Sequence, residues 1–125
     1  MIFGIGTDII AVARLGRLYE RHQERVLEKL LAASEMSAFV RAKDPARFLA
    51  KRFAAKEALG KALGIGVAAP ATLPNIAITH DALGKPAFAY APDLARYLDE
   101  RRLVAHLSIS DEADYAVAFV ILEQR

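Results

Sequence analysis

The chain has 125 residues, 54% of them hydrophobic, enough for one core but short for several, so a single domain spanning 1–125 is expected. It has no cysteine, which excludes disulfide stapling and thiolate metal sites or nucleophiles and is compatible with a reducing, cytoplasmic setting. The 17 basic and 15 acidic residues leave a charge of +2, too small to announce a nucleic-acid binder, and no segment approaches the ~20 apolar residues of a membrane span.

From the N-terminus, Ile2 to Ile10 is β-rich and alternating, so it predicts a buried strand. Gly4 and Gly6 leave one face of that strand bare just before Asp8, which marks close approach by a ligand or another backbone. Val12 to about Leu31 has helical spacing that fits one helix or two. Arg14, Arg17, Arg21 and Arg25 would form a narrow basic stripe if that helix is continuous, suited to an acidic partner or simply solvated beside Glu20, Glu24 and Glu28.

Ser34 is an expected N-cap for a short helical segment ending near Lys43, and Asp44 one for the long helix that follows Pro45. That helix contains RFAAKEALGKALGIG, residues 52–66, with Gly64 and Gly66 placed for a left-handed C-terminal exit. Its apolar positions, Phe48, Leu49, Phe53, Ala55, Leu59, Ala62 and Leu63, share one face, yet Arg52 and Lys56 project within it. Glu57 and Lys61 lie one turn apart on another edge.

After the proline-punctuated stretch 67–74, Asn75 to Thr79 and Pro86 to Tyr90 read as a hairpin with Asp81 to Lys85 as its turn. Pro92 to Arg102 predicts a short helix. Val104 to Ser110 and Tyr115 to Glu123 predict a second hairpin about the turn Asp111 to Asp114, with the latter strand apolar enough to be central. A strand, then helices, then mostly antiparallel strands make an α+β domain.

Asp8 and Glu57 are candidate paired carboxylates, whose hard oxygens suit Mg²⁺ completed by substrate phosphates. The alternative makes Asp8 a helix N-cap and pairs Glu57 with Lys61 on the helix surface. Lys56, Lys61 and the Gly64-Ile65-Gly66 exit could hold a phosphate, although a helix C-terminus disfavours anions and a plain cap serves equally. His22, His80 and His106 lack metal-ligand spacing. His106 alternates with Ser108 and Ser110 on one strand face, either an active-site wall or a polar sheet surface.

Together, Gly4-Ile5-Gly6-Thr7-Asp8-Ile9, Arg52 to Ala58 with Lys61 and Gly64 to Gly66, Gly84-Lys85-Pro86, His106 to Ser110 and Tyr115 to Ala118 resemble the holo-acyl-carrier-protein synthases. The resemblance to this family of small 4′-phosphopantetheinyl transferases runs from Met1 to about Glu123. It implies the family's α+β fold, a mostly antiparallel sheet packed on a long helix. It also implies transfer of phosphopantetheine from coenzyme A to a serine of apo acyl carrier protein in fatty-acid synthesis.

On this chain the resemblance puts Mg²⁺ between Asp8, Glu57 and the pyrophosphate of coenzyme A, with Lys61 near the phosphates and Gly64 and Gly66 lining the same ligand. Lys85, Pro86, Ser108 and Ser110 match positions around the nucleotide, and the Arg14 to Arg25 stripe matches the carrier-protein surface. Glu35 falls where some members have an acidic residue offered as a base or water-binding group. Asp111 stands where many have histidine. The family is typically trimeric with sites between subunits, and a subunit interface or bound nucleotide would account for Arg52 and Lys56.

Overall fold

The computed structural model describes residues 1–125. Strand β1 (Ile2–Ala11) pairs antiparallel with β5 (Tyr115–Gln124), and β5 pairs antiparallel with β4 (Leu103–Asp111), giving the order β1-β5-β4 with β5 central as expected. A second antiparallel pair joins β2 (Ile76–His80) to β3 (Pro86–Tyr90). The long helix α4 (Pro45–Leu63) lies across the inner face of the three-stranded sheet, and α5 (Pro92–Glu100) precedes β4.

Alternation in β5 decides its two faces: Ala116, Ala118, Val120 and Leu122 are buried, while Tyr115 and Phe119 point outward. The buried side chains opposite them on α4 are small, Ala54, Ala55, Ala58 and Ala62 around Leu59, so helix and sheet approach closely. On β1 the approach is closer still. A Cβ on Gly4 or Gly6 would run into the carbonyl oxygens of Ala62 and Ala58, so the bare lane beside Asp8 is filled by the helix backbone.

The first helical stretch divides. Helix α1 (Val12–His22) and helix α2 (Glu24–Leu30) meet at Gln23, whose φ of 48° is left-handed. Ser34 does not cap the next segment: the 3-10 turn Ala33–Glu35 runs into α3 (Met36–Arg41), and the Glu35 carboxylate accepts from the Ala32 amide instead. Asp44 does cap α4, accepting from the Arg47 amide at 3.1 Å. At the other end Gly64 adopts φ 84°, and the chain folds back so tightly that the Gly66 amide bonds the Gly60 carbonyl.

The outer face of the main sheet is not covered. Phe3, Ile5, Ile9, Tyr115 and Phe119 are all at least 41% exposed there, an unusual apolar area for a sheet in contact with water. No helix is long and apolar enough to cross a membrane.

Candidate active site

Asp8 leaves β1 on the same side as Gly4 and Gly6, beside the middle of α4. Its Oδ1 accepts from Lys61 Nζ at 3.1 Å, and the same ammonium donates to the Thr7 carbonyl at 2.9 Å. Its Oδ2 is buried with no hydrogen-bond partner, the only such side-chain atom in the molecule. Asp8 is therefore not a helix N-cap, and Lys61 pairs with Asp8 rather than with Glu57.

Glu57 faces the same place from the helix. Burial pushes its carboxyl above the ordinary glutamate value, and the charge of Asp8 adds to the shift, while Lys61 and Arg14 oppose it. No third His, Cys, Asp or Glu joins the pair. An orphaned carboxylate oxygen beside a second destabilised carboxylate is a deficit of positive charge. That donor set fits a hard divalent cation such as Mg²⁺, which takes few protein oxygens and keeps positions for water and phosphate.

Gly64 and Gly66 stand at the end of α4, one turn beyond Lys61, with open space where their Cβ atoms would be. Lys85 is exposed in the β2–β3 turn, whose Asp81 carboxylate accepts from its amide, and Pro86 begins β3. Ser108 and Ser110 point outward from β4 on the face that also carries His106. Ser108 and Ser110 lie on the sheet face opposite that of Asp8, and Lys85 and Pro86 belong to the separate β2–β3 pair.

Glu35, Arg52 and Lys56 meet in one cluster inside the fold, and the expected roles of Glu35 and Lys56 are corrected by it. Lys56 is 0% exposed, and all three of its ammonium protons are used, by Glu35 Oε1 at 2.6 Å and the carbonyls of Leu30 and Leu73 at 2.7 and 3.0 Å. The remaining Glu35 oxygen accepts from Arg52 at 2.8 Å and from the Ile78 amide at 3.1 Å. Glu35 is thus a buried counter-ion with both oxygens occupied, not a free base, and Lys56 cannot meet a nucleotide. Its place inside the apolar face answers to an acid on another segment, which helical spacing alone does not disclose.

Arg52 differs from Lys56. One guanidinium nitrogen is held by Glu35 and the Ile78 carbonyl, and the Phe48 ring lies 4.2 Å from its central carbon. The side chain still lines a cleft of about 240 Å³ whose walls include Lys43, Arg47, Lys51 and His80. Lys43, Arg47 and Lys51 were not anticipated. Their i, i+4 spacing was a readable signal, but it straddles the Asp44-Pro45 helix start.

Asp111 sits at this cleft's rim, accepting from Arg47 at 3.0 Å while Arg47 also bonds the Glu112 and Ala113 carbonyls. It ties the β4–β5 turn to the start of α4.

Arg14, Arg17 and Arg21 are exposed on α1 as the stripe expects, but Arg25 falls beyond the break at Gln23. It lines a second cleft, of about 340 Å³, between α1, α2 and Phe53, with Leu15, Leu18, Leu30 and Leu73 in its walls and His22 and Lys29 beside it.

Comparison with known proteins defines the class. Residues 4–120 match the family model of the 4′-phosphopantetheinyl transferase superfamily. A holo-acyl-carrier-protein synthase of Azoarcus sp. is 62% identical over 125 residues, with all of both chains covered. The crystal structure of the Neisseria meningitidis synthase superposes with a TM-score of 0.96 at 45% identity, covering 99% of this chain and 100% of that one. The Bacillus anthracis synthase, in complex with CoA (3′,5′-ADP), superposes with a TM-score of 0.85 at 33% identity, covering 100% and 99%.

The chain belongs to the 4′-phosphopantetheinyl transferase superfamily, and within it to the holo-acyl-carrier-protein synthases. It is accordingly an enzyme of the phosphopantetheinyl transferase class.

Proposed function

We propose that this chain, acting in the cytoplasm as a single-domain protomer of a homotrimer, transfers 4′-phosphopantetheine from coenzyme A to a serine of apo acyl carrier protein. The reaction is Mg²⁺-dependent, releases adenosine 3′,5′-bisphosphate and serves fatty-acid biosynthesis. The observation that carries this reading is the orphaned Oδ2 of Asp8 beside the destabilised Glu57 carboxyl.

Asp8 and Glu57 would hold Mg²⁺ against the pyrophosphate, where the cation supplies charge neutralisation and orientation. Lys61 spends two of its three donors on Asp8 and Thr7, leaving one for a phosphate oxygen. The serine oxygen bonds to the β-phosphorus as the bond to the adenosine bisphosphate oxygen breaks. Glu57 would take up the serine proton directly or through a water that it holds. Gly64 and Gly66 present an open backbone edge to the same phosphates.

Trimer formation is supported by the uncovered apolar sheet face. The carboxylate pair lies by the β1 edge, and the basic cleft includes Ile109 of β4, at the opposite edge of the sheet. In a trimer whose sites lie between subunits, the neighbour would contribute Arg52 with Lys43, Arg47 and Lys51 to the nucleotide phosphates. Lys85, Pro86, Ser108 and Ser110 complete the nucleotide's surroundings. Arg14, Arg17, Arg21 and Arg25 face the acidic carrier protein, with Arg14 near enough to Glu57 to act on its proton affinity.

Mass spectrometry of apo carrier protein incubated with the chain, coenzyme A and Mg²⁺ tests this reading. Addition of one phosphopantetheine is expected, lost on chelation and in Asp8→Asn. No added mass, or an Asp8→Asn variant with the wild-type rate and metal dependence, overturns it.

A further inference from the structure

The Glu35 cluster joins the walls of two clefts. Lys56 is anchored by the carbonyls of Leu30 and Leu73, both lining the cleft beside the arginine stripe. Arg52, bonded to the other oxygen of Glu35, lines the basic cleft. Its Nε and second terminal nitrogen have no partner within the chain, yet are not sealed from solvent, so the tether leaves the three N–H donors of these two nitrogens available to that cleft. Glu35 itself comes from the short turn before α3 and has nothing to do but hold: its oxygens accept from Lys56, Arg52 and the amides of Ala32 and Ile78.

Stability alone is a poor reason for such a cluster. Burying charges costs desolvation, and apolar side chains of similar volume commonly replace buried ion pairs at no loss. What an apolar replacement cannot supply is direction: donors aimed at two particular carbonyls and a guanidinium fixed with its free edge toward a cleft.

We propose that Glu35 is a positioning residue that sets both clefts at once, orienting Arg52 for the nucleotide and, through Lys56, spacing Leu30 and Leu73 for the carrier protein. The assignment of ligands to the two clefts rests on the transferase reading above.

Steady-state kinetics on wild type, Glu35→Gln, Lys56→Met and the double variant test it, each checked for folding by circular dichroism. Loss of a charge-assisted hydrogen bond at the cluster predicts that Glu35→Gln raises KM for coenzyme A and for apo carrier protein, each on the order of 10-fold, with kcat within about threefold. Lys56→Met raises KM for the carrier protein only. The double variant leaves no uncompensated charge on either of these side chains and shows both KM increases.

A merely structural role would lower the folded fraction, and so apparent kcat, without moving KM. Folded variants with wild-type KM values, a fall in kcat alone, or failure of all three variants to fold each overturn the proposal. Absence of labelling by wild type sinks the transferase reading and the proposal with it. Wild-type labelling with unmoved KM values in the variants sinks the proposal alone.

Discussion

Gly6→Ala tests how the carboxylate pair is built, without touching either carboxylate. An added Cβ would lie 2.8 Å from the Ala62 amide nitrogen, against the 3.4 Å at which ordinary contact begins, and nearer still to the Ala58 carbonyl oxygen. Both obstructing atoms are backbone of α4, so no rotamer change relieves the clash, and β1 and α4 must separate by at least 0.6 Å. Overpacking of this kind costs ~2–3 kcal/mol, which for a chain of this length lowers Tm by roughly 8–15 °C. The displacement separates the strand that carries Asp8 from the helix that carries Glu57, so turnover should fall ~10–100-fold even where the protein remains folded, because misplacement by about 1 Å costs up to ~10² in rate. The control is Gly16→Ala, whose Cβ would meet only the Ala46 side chain at 3.3 Å and which gains helix propensity of ~1 kcal/mol. Calorimetry and the carrier-protein labelling assay read both effects. Wild-type Tm and turnover in Gly6→Ala would refute the argument that the glycine lane fixes the site.

Two further outcomes follow from the site and the sheet. Because the Glu57 carboxyl is raised above 4.5 in the folded chain, the native state binds more protons than the unfolded state between those two values, and stability falls as pH rises through that window. Glu57→Gln should therefore melt above wild type at pH 7 without divalent cation, the gap closing well below pH 4.5, where both states are protonated, and narrowing when Mg²⁺ is added. An equal or lower Tm at pH 7 counts against it. On the outer sheet face, Ile9→Glu places a charge among Ile5, Val117 and Phe119 and should convert a trimer into monomers in sedimentation velocity, with loss of labelling. A trimer unaffected by this change would remove that face from the interface.

Much of the architecture was legible locally. Alternation placed β1 and β4, a nearly continuous apolar run placed β5, the Gly64 exit ended α4, and Asp44 before Pro45 began it, because each signal acts over a few residues. The proximity of Asp8 and Glu57 was legible only as a resemblance, since 49 residues separate them and spacing carries no distance. The break at Gln23 escaped periodicity because the apolar stripe continues in type on both sides of it.

Arg52 and Lys56 show where sequence reasoning ends. Composition and helical period established that two cations project into an apolar face of α4, and that much needed no fold. Whether the answering acid belonged to a nucleotide, a neighbouring chain or this chain depended on where the 3-10 turn bearing Glu35 comes to rest, and that is set by packing of α2, α4 and β2. The same packing turned Gly4 and Gly6 from a possible ligand lane into a helix seat and left one oxygen of Asp8 unanswered. The sequence determined which charges and glycines the chain carries; tertiary contact, which brings segments tens of residues apart within hydrogen-bonding range, decided which of them were satisfied and which were left for a ligand.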